Sequence, residues 1–109
     1  MANLLKTAVI ADVGKLPIDV ATVAAGRKII VIGMTMTNKK DSTVLGNVFV
    51  KDPGSVTAYY AKDIPLPPNG SARIVNGGEK LVLDQDHTLQ VSSSFADSVD
   101  VIVSYAEQS

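Results

Sequence analysis

The sequence predicts an all-β protein, an antiparallel β-sandwich of about eight strands with a jelly roll among its possible forms, and three observations predict it. Apolar residues come in short runs separated by turn signals. In Pro65–Ser94 the runs Ala72–Val75, Leu81–Leu83 and Leu89–Val91 alternate with PPNG, NGG and DQD. The apolar runs are dominated by Val, Ile, Thr and Tyr, which fit a pleated surface. Helix signals are nearly absent, and the interval from one run to the next is about 8–12 residues.

Taken in order, Leu4–Val13 is the first predicted strand. It sets Leu5, Thr7, Val9 and Ala11 against Leu4, Lys6, Ala8 and Ile10, and Gly14-Lys15-Leu16-Pro17 ends it. Asp19–Val23 is a short second strand, closed by Ala24-Ala25-Gly26-Arg27. Lys28–Asn38 is the longest apolar run, and the polar loop Asn38–Ser42 follows it. Thr43–Lys51 and Val56–Ile64 form a hairpin through Asp52-Pro53-Gly54-Ser55, with Pro to preset φ and Gly for a positive φ. Pro65–Gly70, with three prolines, reads as a stiff connection without ladder donors. The last strand, Val99–Glu107, puts Val99, Val101, Val103 and Tyr105 on one face and Asp100, Ile102, Ser104 and Ala106 on the other.

Two runs are apolar on both faces. In Lys28–Met36, strict alternation puts Ile30, Ile32, Met34 and Met36 on one side and Ile29 and Val31 on the other. In Thr43–Lys51, Val44, Val48 and Val50 oppose Leu45 and Phe49. A half-exposed antiparallel strand alternates apolar and polar, so both runs need cover on two sides. Central strands under loops or under the N-terminal segment supply one form of cover, and a subunit or partner interface supplies the other.

Composition narrows the function. The 109 residues suffice for a single domain, residues 1–109, with an ordinary core. There is no cysteine, so disulfides and thiolate metal sites are excluded. Ten basic and eleven acidic residues give neither the basic excess nor the stripe of a nucleic-acid binder. Charged residues make up 19%, below the roughly 25% of an average domain. Some apolar area is therefore expected to face a partner. The N-terminal apolar run is interrupted by Asp12 and Lys15, unlike a signal peptide, and no run approaches the roughly 18 residues of a membrane span.

The chemical candidates weigh little. His87, the one histidine, sits between Asp86 and Thr88 in a predicted turn, with no nucleophile placed for it. Asp84 and Asp86, with Glu79 nearby, are the best hard-cation set. They fall short of the 6–8 oxygens calcium takes, and Asx residues at a β-turn explain them. Asn76-Gly77-Gly78 precedes no helix, so it reads as a hairpin turn rather than a phosphate loop. Arg27-Lys28 and Lys39-Lys40 read as solvated loop charges. Of Tyr59 and Tyr60, strand alternation sends one ring to the core and the other to solvent. No enzyme and no cofactor is expected.

The succession VATVAAGRKIIVIGMTMTN, a hairpin, YYAKDIPLPPNGS, GGEKLVLDQDHTLQVSSS and VDVIVSYAE resembles small virion structural proteins of tailed bacteriophages, those of cyanobacteria and other marine bacteria above all. The resemblance spans Val20–Glu107 and rests on the order of turn-plus-strand signals. It implies a non-enzymatic β-sandwich accessory protein of the particle, located in the virion and made in the host cytoplasm. It carries over no catalytic residue. On this reading the protein is a capsid decoration or cement protein that binds between subunits of the major capsid protein, or other virion proteins, and forms homo-oligomers without nucleic acid or membrane. Leu4, Leu5, Met34, Met36, Phe49 and Tyr60 are the expected contributors to the interface or the core, and Met1–Lys6 the expected docking arm. The alternatives are a tail, neck or fibre-attachment protein and, in another class, a carbohydrate- or ligand-binding β-sandwich.

Overall fold

The computed structural model describes residues 3–75 and 80–109. Its strands are β1 (Asn3–Val13), β2 (Ile18–Thr22), β3 (Lys28–Asn38), β4 (Val44–Lys51), β5 (Thr57–Leu66), β6 (Ser71–Val75), β7 (Leu81–Leu83), β8 (Thr88–Ser93) and β9 (Val99–Gln108). Their pairings nest around one hairpin. β4 pairs with β5, β3 with β6 and β7, β2 with β8, and β1 with β9, all antiparallel. A long hairpin of this kind, rolled up, deals its strands alternately into two sheets. The larger sheet has the order β1-β9-β3-β6, with β7 also on β3, and the smaller sheet has the order β2-β8-β4-β5. This is the jelly-roll arrangement of a β-sandwich.

The core lies between the sheets. Val13, Ile29, Val31, Met34, Met36, Val75, Leu83, Val99, Val101 and Val103 come from the larger sheet, and Val44, Val48, Leu66, Leu89 and Val91 from the smaller. No aromatic side chain is fully buried among the described residues. Small β-branched side chains suit a layer only about 10 Å thick. At Gly46 an added Cβ would stand 3.0 Å from Met36 Cε and 3.2 Å from Leu66 Cδ1, so the absence of a side chain there lets the sheets approach.

Strict alternation fails in β3. Its register shifts between Val31 and Gly33 against β9, and this β-bulge reverses the phase of the strand. Ile29, Val31, Met34 and Met36 therefore share the interior, while Ile32 turns out to solvent. Pro65 and Leu66 also belong to a strand, not to a connection: Leu45 pairs with Pro65 and Val44 with Leu66. β5 is an edge strand, where proline is tolerated. β6 and β7 do not form a hairpin with each other. Both run antiparallel to β3, β6 along Met34–Thr37 and β7 along Ile29–Val31, because β3 is long enough to seat two short strands end to end. Asn76-Gly77-Gly78 and Glu79 lie outside the described residues.

The β4–β5 turn forms as the sequence predicts, with one change. Asp52 Oδ1 accepts from the Gly54 and Val56 amides, each at 2.9 Å, but the positive φ falls on Ser55 (75°), not on glycine. At the far end of the sandwich, the buried Asn38 side chain donates through Nδ2 to the carbonyls of Ser42, Leu66 and Pro67 and accepts from the Lys40 amide. It thereby ties the β3–β4 loop to the end of β5. Ser93 and Ser98, also buried, share a 2.8 Å hydroxyl contact and secure the β8–β9 loop through the Phe95 carbonyl.

Candidate functional site

The two sheets turn very different surfaces outward. Register places Leu5, Ala106, Ile30 and Val82 in one row across β1, β9, β3 and β7 on the outer face of the larger sheet. Val9, Ile102, Thr35 and Arg73 form a second row, and Thr7 and Ser104 lie between the two. Leu5 is 80% exposed, Val9 68%, Val82 52%, Ile102 50% and Ile32 36%. Scattered exposed apolar residues are ordinary, but these share one face, where Ala106 and Ile30 link Leu5 to Val82 across four strands and Val9 stands directly beside Ile102. A depression of about 300 Å³, lined in part by Ile32, Gly33, Arg73 and Ile102, opens where the bulge displaces β3.

The outer face of the smaller sheet is polar and internally bonded. Thr22 and Thr88 hydroxyls meet at 3.2 Å, Gln90 Nε2 donates to Asp19 at 2.7 Å, and Asn47 Nδ2 donates to Ser92 Oγ at 3.3 Å. Asn47 Oδ1 accepts from the Asp63 amide at 2.9 Å, where Asp63 sits in a left-handed bulge of β5. The large side chains here are Phe49 and Tyr59, with ring centroids 4.6 Å apart, and Lys62 lies 5.4 Å above the Tyr59 ring. Asp19, Thr22, Asn47, Thr88, Gln90 and Ser92 on this face are thus all bonded within the chain.

Ion clusters rim the larger sheet at its two ends. At one end Lys39 bonds Asp12 and Asp100, the latter at 3.0 Å, and Asp100 also accepts from the Asp12 amide. Asp12 and then Asp100 raise the Lys39 pKa. Burial pushes the Asp100 carboxyl up, but the Asp12 amide and Lys39 outweigh it, and the net direction is down. At the other end Glu107, 11% exposed at its side chain, takes Lys6 Nζ and Arg27 Nη1 on one oxygen, each at 3.0 Å. Lys6 first, then Arg27, hold its pKa below the ordinary glutamate range against the cost of burial. These clusters are structural ties between strands and loops.

Asp84, Asp86 and His87 do not converge. Asp84 reaches only Lys28 Nζ at 3.7 Å, Asp86 holds a left-handed turn position, and His87 Nδ1 lies 3.1 Å from the Gln85 carbonyl. The turn docks on the β2–β3 loop instead. Asp86 N donates to Val23 O, Val23 N to His87 O, and Gly26 N to Gln85 Oε1. Among the described residues no group of three potential metal ligands comes together.

The residues expected at the interface or in the core fall in three places. Leu5 lies on the apolar outer face, and Leu4, 48% exposed, lies on the inner side of the β1 edge. Met34 and Met36 are fully buried, which removes them from any surface of the folded chain. Phe49 is half-buried under Tyr59 on the polar face, and Tyr60 packs against the core while Tyr59 is exposed. Asn3–Lys6 is not a free arm: its residues pair with Gln108–Tyr105 of β9, and Met1 and Ala2 lie outside the described residues. Sequence reasoning missed Val9, Val82 and Ile102. The signal was available in β1 and β9, where the face opposite the core also holds apolar residues.

No family model and no curated protein matches this sequence. Solved structures do match its fold. A chain of Bacillus endospore appendages, described as disulfide-linked pili, is 9% identical with a TM-score of 0.61, over 98% of this chain and 88% of that one. A chain of infectious bursal disease virus, Gt strain, is 11% identical with a TM-score of 0.50, over 96% of this chain but only 32% of that one. At these identities the likeness is one of fold.

Proposed function

We propose that the protein is a non-enzymatic structural component of an assembled particle, and specifically a decoration or cement protein of a phage head that docks through the outer face of its larger sheet. The observation behind this reading is the largely apolar outer face of the larger sheet, with Leu5, Ala106, Ile30 and Val82 in one continuous row and Val9 and Ile102 beyond Thr7 and Ser104, on a chain whose other face is mostly polar and bonded within itself. Contiguous exposed apolar area marks an interaction site. Such a protein needs to fold alone and then bury flat surface against a lattice, and a jelly roll with rigid strands presents such a surface. The virus chain of similar fold supports a virion setting, as does the order of turn and strand signals in the sequence.

Co-sedimentation with empty heads and with isolated tails from the chain's own source tests the reading. Binding to heads, lost when Val9 and Ile102 become Asp, is expected; binding to tails alone moves the protein to a tail, neck or fibre-attachment role, and binding to neither overturns the proposal.

A second reading, a subunit of a filament, is favoured by the near full-length match in both directions to the endospore appendage chain. That protein is described as disulfide-linked, whereas this chain has no cysteine, so a filament of it would be held by non-covalent burial alone. Electron microscopy of the concentrated protein separates the two readings.

A further inference from the structure

We propose that the free edge of β1 pairs with the same edge of a second copy of this chain, antiparallel and centred on Thr7, so that two larger sheets join into one. The proposal rests on the assembly reading above and names a partner for one margin of that face.

The sheet edges are not equivalent. β2 is five residues long with a register break between Asp19 and Ala21. β5 carries Pro65, left-handed Asp63 and two register breaks. β6 and β7 are short and share one edge of β3. Bulges, prolines and short strands are the devices that keep an edge from pairing. β1 has none of them from Asn3 to Ile10, where its register against β9 is unbroken. The ladder pairs β1 with β9 alone, so the amides and carbonyls of alternate residues point away from the sheet. Its one charge, Lys6, is already engaged by Glu107.

The side chains select the partner. A twofold axis perpendicular to the sheet keeps the two outer faces level, and it requires residues of like parity to stand opposite. Centring on Thr7 sets Leu5 against Val9 of the second copy, Leu4 against Ile10, Lys6 against Ala8, and Thr7 against itself. Apolar pairs and a Thr–Thr pair stabilise antiparallel ladders. Centring on Lys6 opposes two like charges, and centring on Ala8 sets Leu4 against Asp12 and Lys6 against Ile10. The Thr7 register also brings Leu5 and Val9 of both copies together, which extends the apolar outer face across the axis.

Because the chain has no cysteine, single cysteines report the register directly. Under mild oxidation Thr7→Cys is expected to form a disulfide-linked dimer with itself, whereas Leu5→Cys and Val9→Cys cross-link only when mixed. Sedimentation of the parent chain is expected to show a monomer–dimer equilibrium, and Thr7→Lys, an exposed substitution opposed by its own copy, to weaken it about 100-fold with unchanged circular dichroism. A parent chain that stays monomeric throughout a concentration series overturns the proposal, as does self-cross-linking of Leu5→Cys equal to that of Thr7→Cys. The failures are distinguishable: a monomeric parent that still co-sediments with heads overturns the dimer while leaving the docking face in place.

Discussion

The two outer faces share one backbone architecture and differ in what completes them. On the smaller sheet the cross-strand neighbours are Thr22 with Thr88, Asp19 with Gln90, Asn47 with Ser92, and Phe49 with Tyr59. Each contact closes within the chain, so water is an adequate final neighbour. On the larger sheet the neighbours are Leu5, Ala106, Ile30 and Val82, then Val9 and Ile102, and half or more of the side chain of Leu5, Val9, Val82 and Ile102 stays in solvent. A face of the first kind contributes to the stability of the monomer. A face of the second kind contributes little until something covers it, since burial of apolar area is what makes it stabilising.

Substitutions can break this contrast in either direction. The largest expected effect is on association: Val9→Asp with Ile102→Asp should weaken head binding about 100-fold or more while leaving the fold intact, measured by co-sedimentation beside circular dichroism. Next is Phe49→Ala on the polar face, which removes a half-buried ring and its contact with Tyr59; a loss of about 2 kcal/mol in urea unfolding is expected, with head binding unchanged. Asn47→Ala should cost about 1 kcal/mol, because the Asp63 amide loses its acceptor and Ser92 its donor. A substitution on the polar face that abolished binding without loss of stability would invert the assignment.

The smallest effect concerns the rim. Glu107 has a lowered folded-state pKa, so its stabilising contribution is present above the unfolded-state pKa and is lost as pH falls through the folded value, a window that opens at roughly pH 4.3 and extends downward. Glu107→Gln should lower stability at neutral pH and flatten the acid limb of a melting-temperature profile. It faces the interior beside β1, so neither outer face should respond to it.

Strand existence was legible throughout, because β-branched runs and turn residues act locally. The alternation of β9 and the hairpin at Asp52–Ser55 follow directly from it. Phase within β3 was not legible, since the bulge between Val31 and Gly33 is a property of its pairing with β9, and a single strand shows no trace of which residue is skipped. The same holds for Pro65, whose place in a strand depends on β5 lying at an edge. The site was half legible. Two-sided apolar character flagged β3 and β4, but register sends the second face of β4 to the polar side, under Tyr59, and sends Leu5, Val9, Val82 and Ile102 together on the other. Which residues share a row across strands is a tertiary fact. The burial of Asn38, at the junction of the run Lys28–Asn38 and the polar loop Asn38–Ser42, was likewise not legible, because its carbonyl partners lie up to 29 positions away.

Hydroxyl-radical footprinting of the free chain against the particle-bound chain tests the central assignment most directly. Protection of Leu5, Val9, Val82 and Ile102 on assembly, with Phe49 and Tyr59 unchanged, is the expected result. Protection centred on Tyr59 and Phe49, with Val9 and Ile102 as reactive as in the free chain, would contradict it.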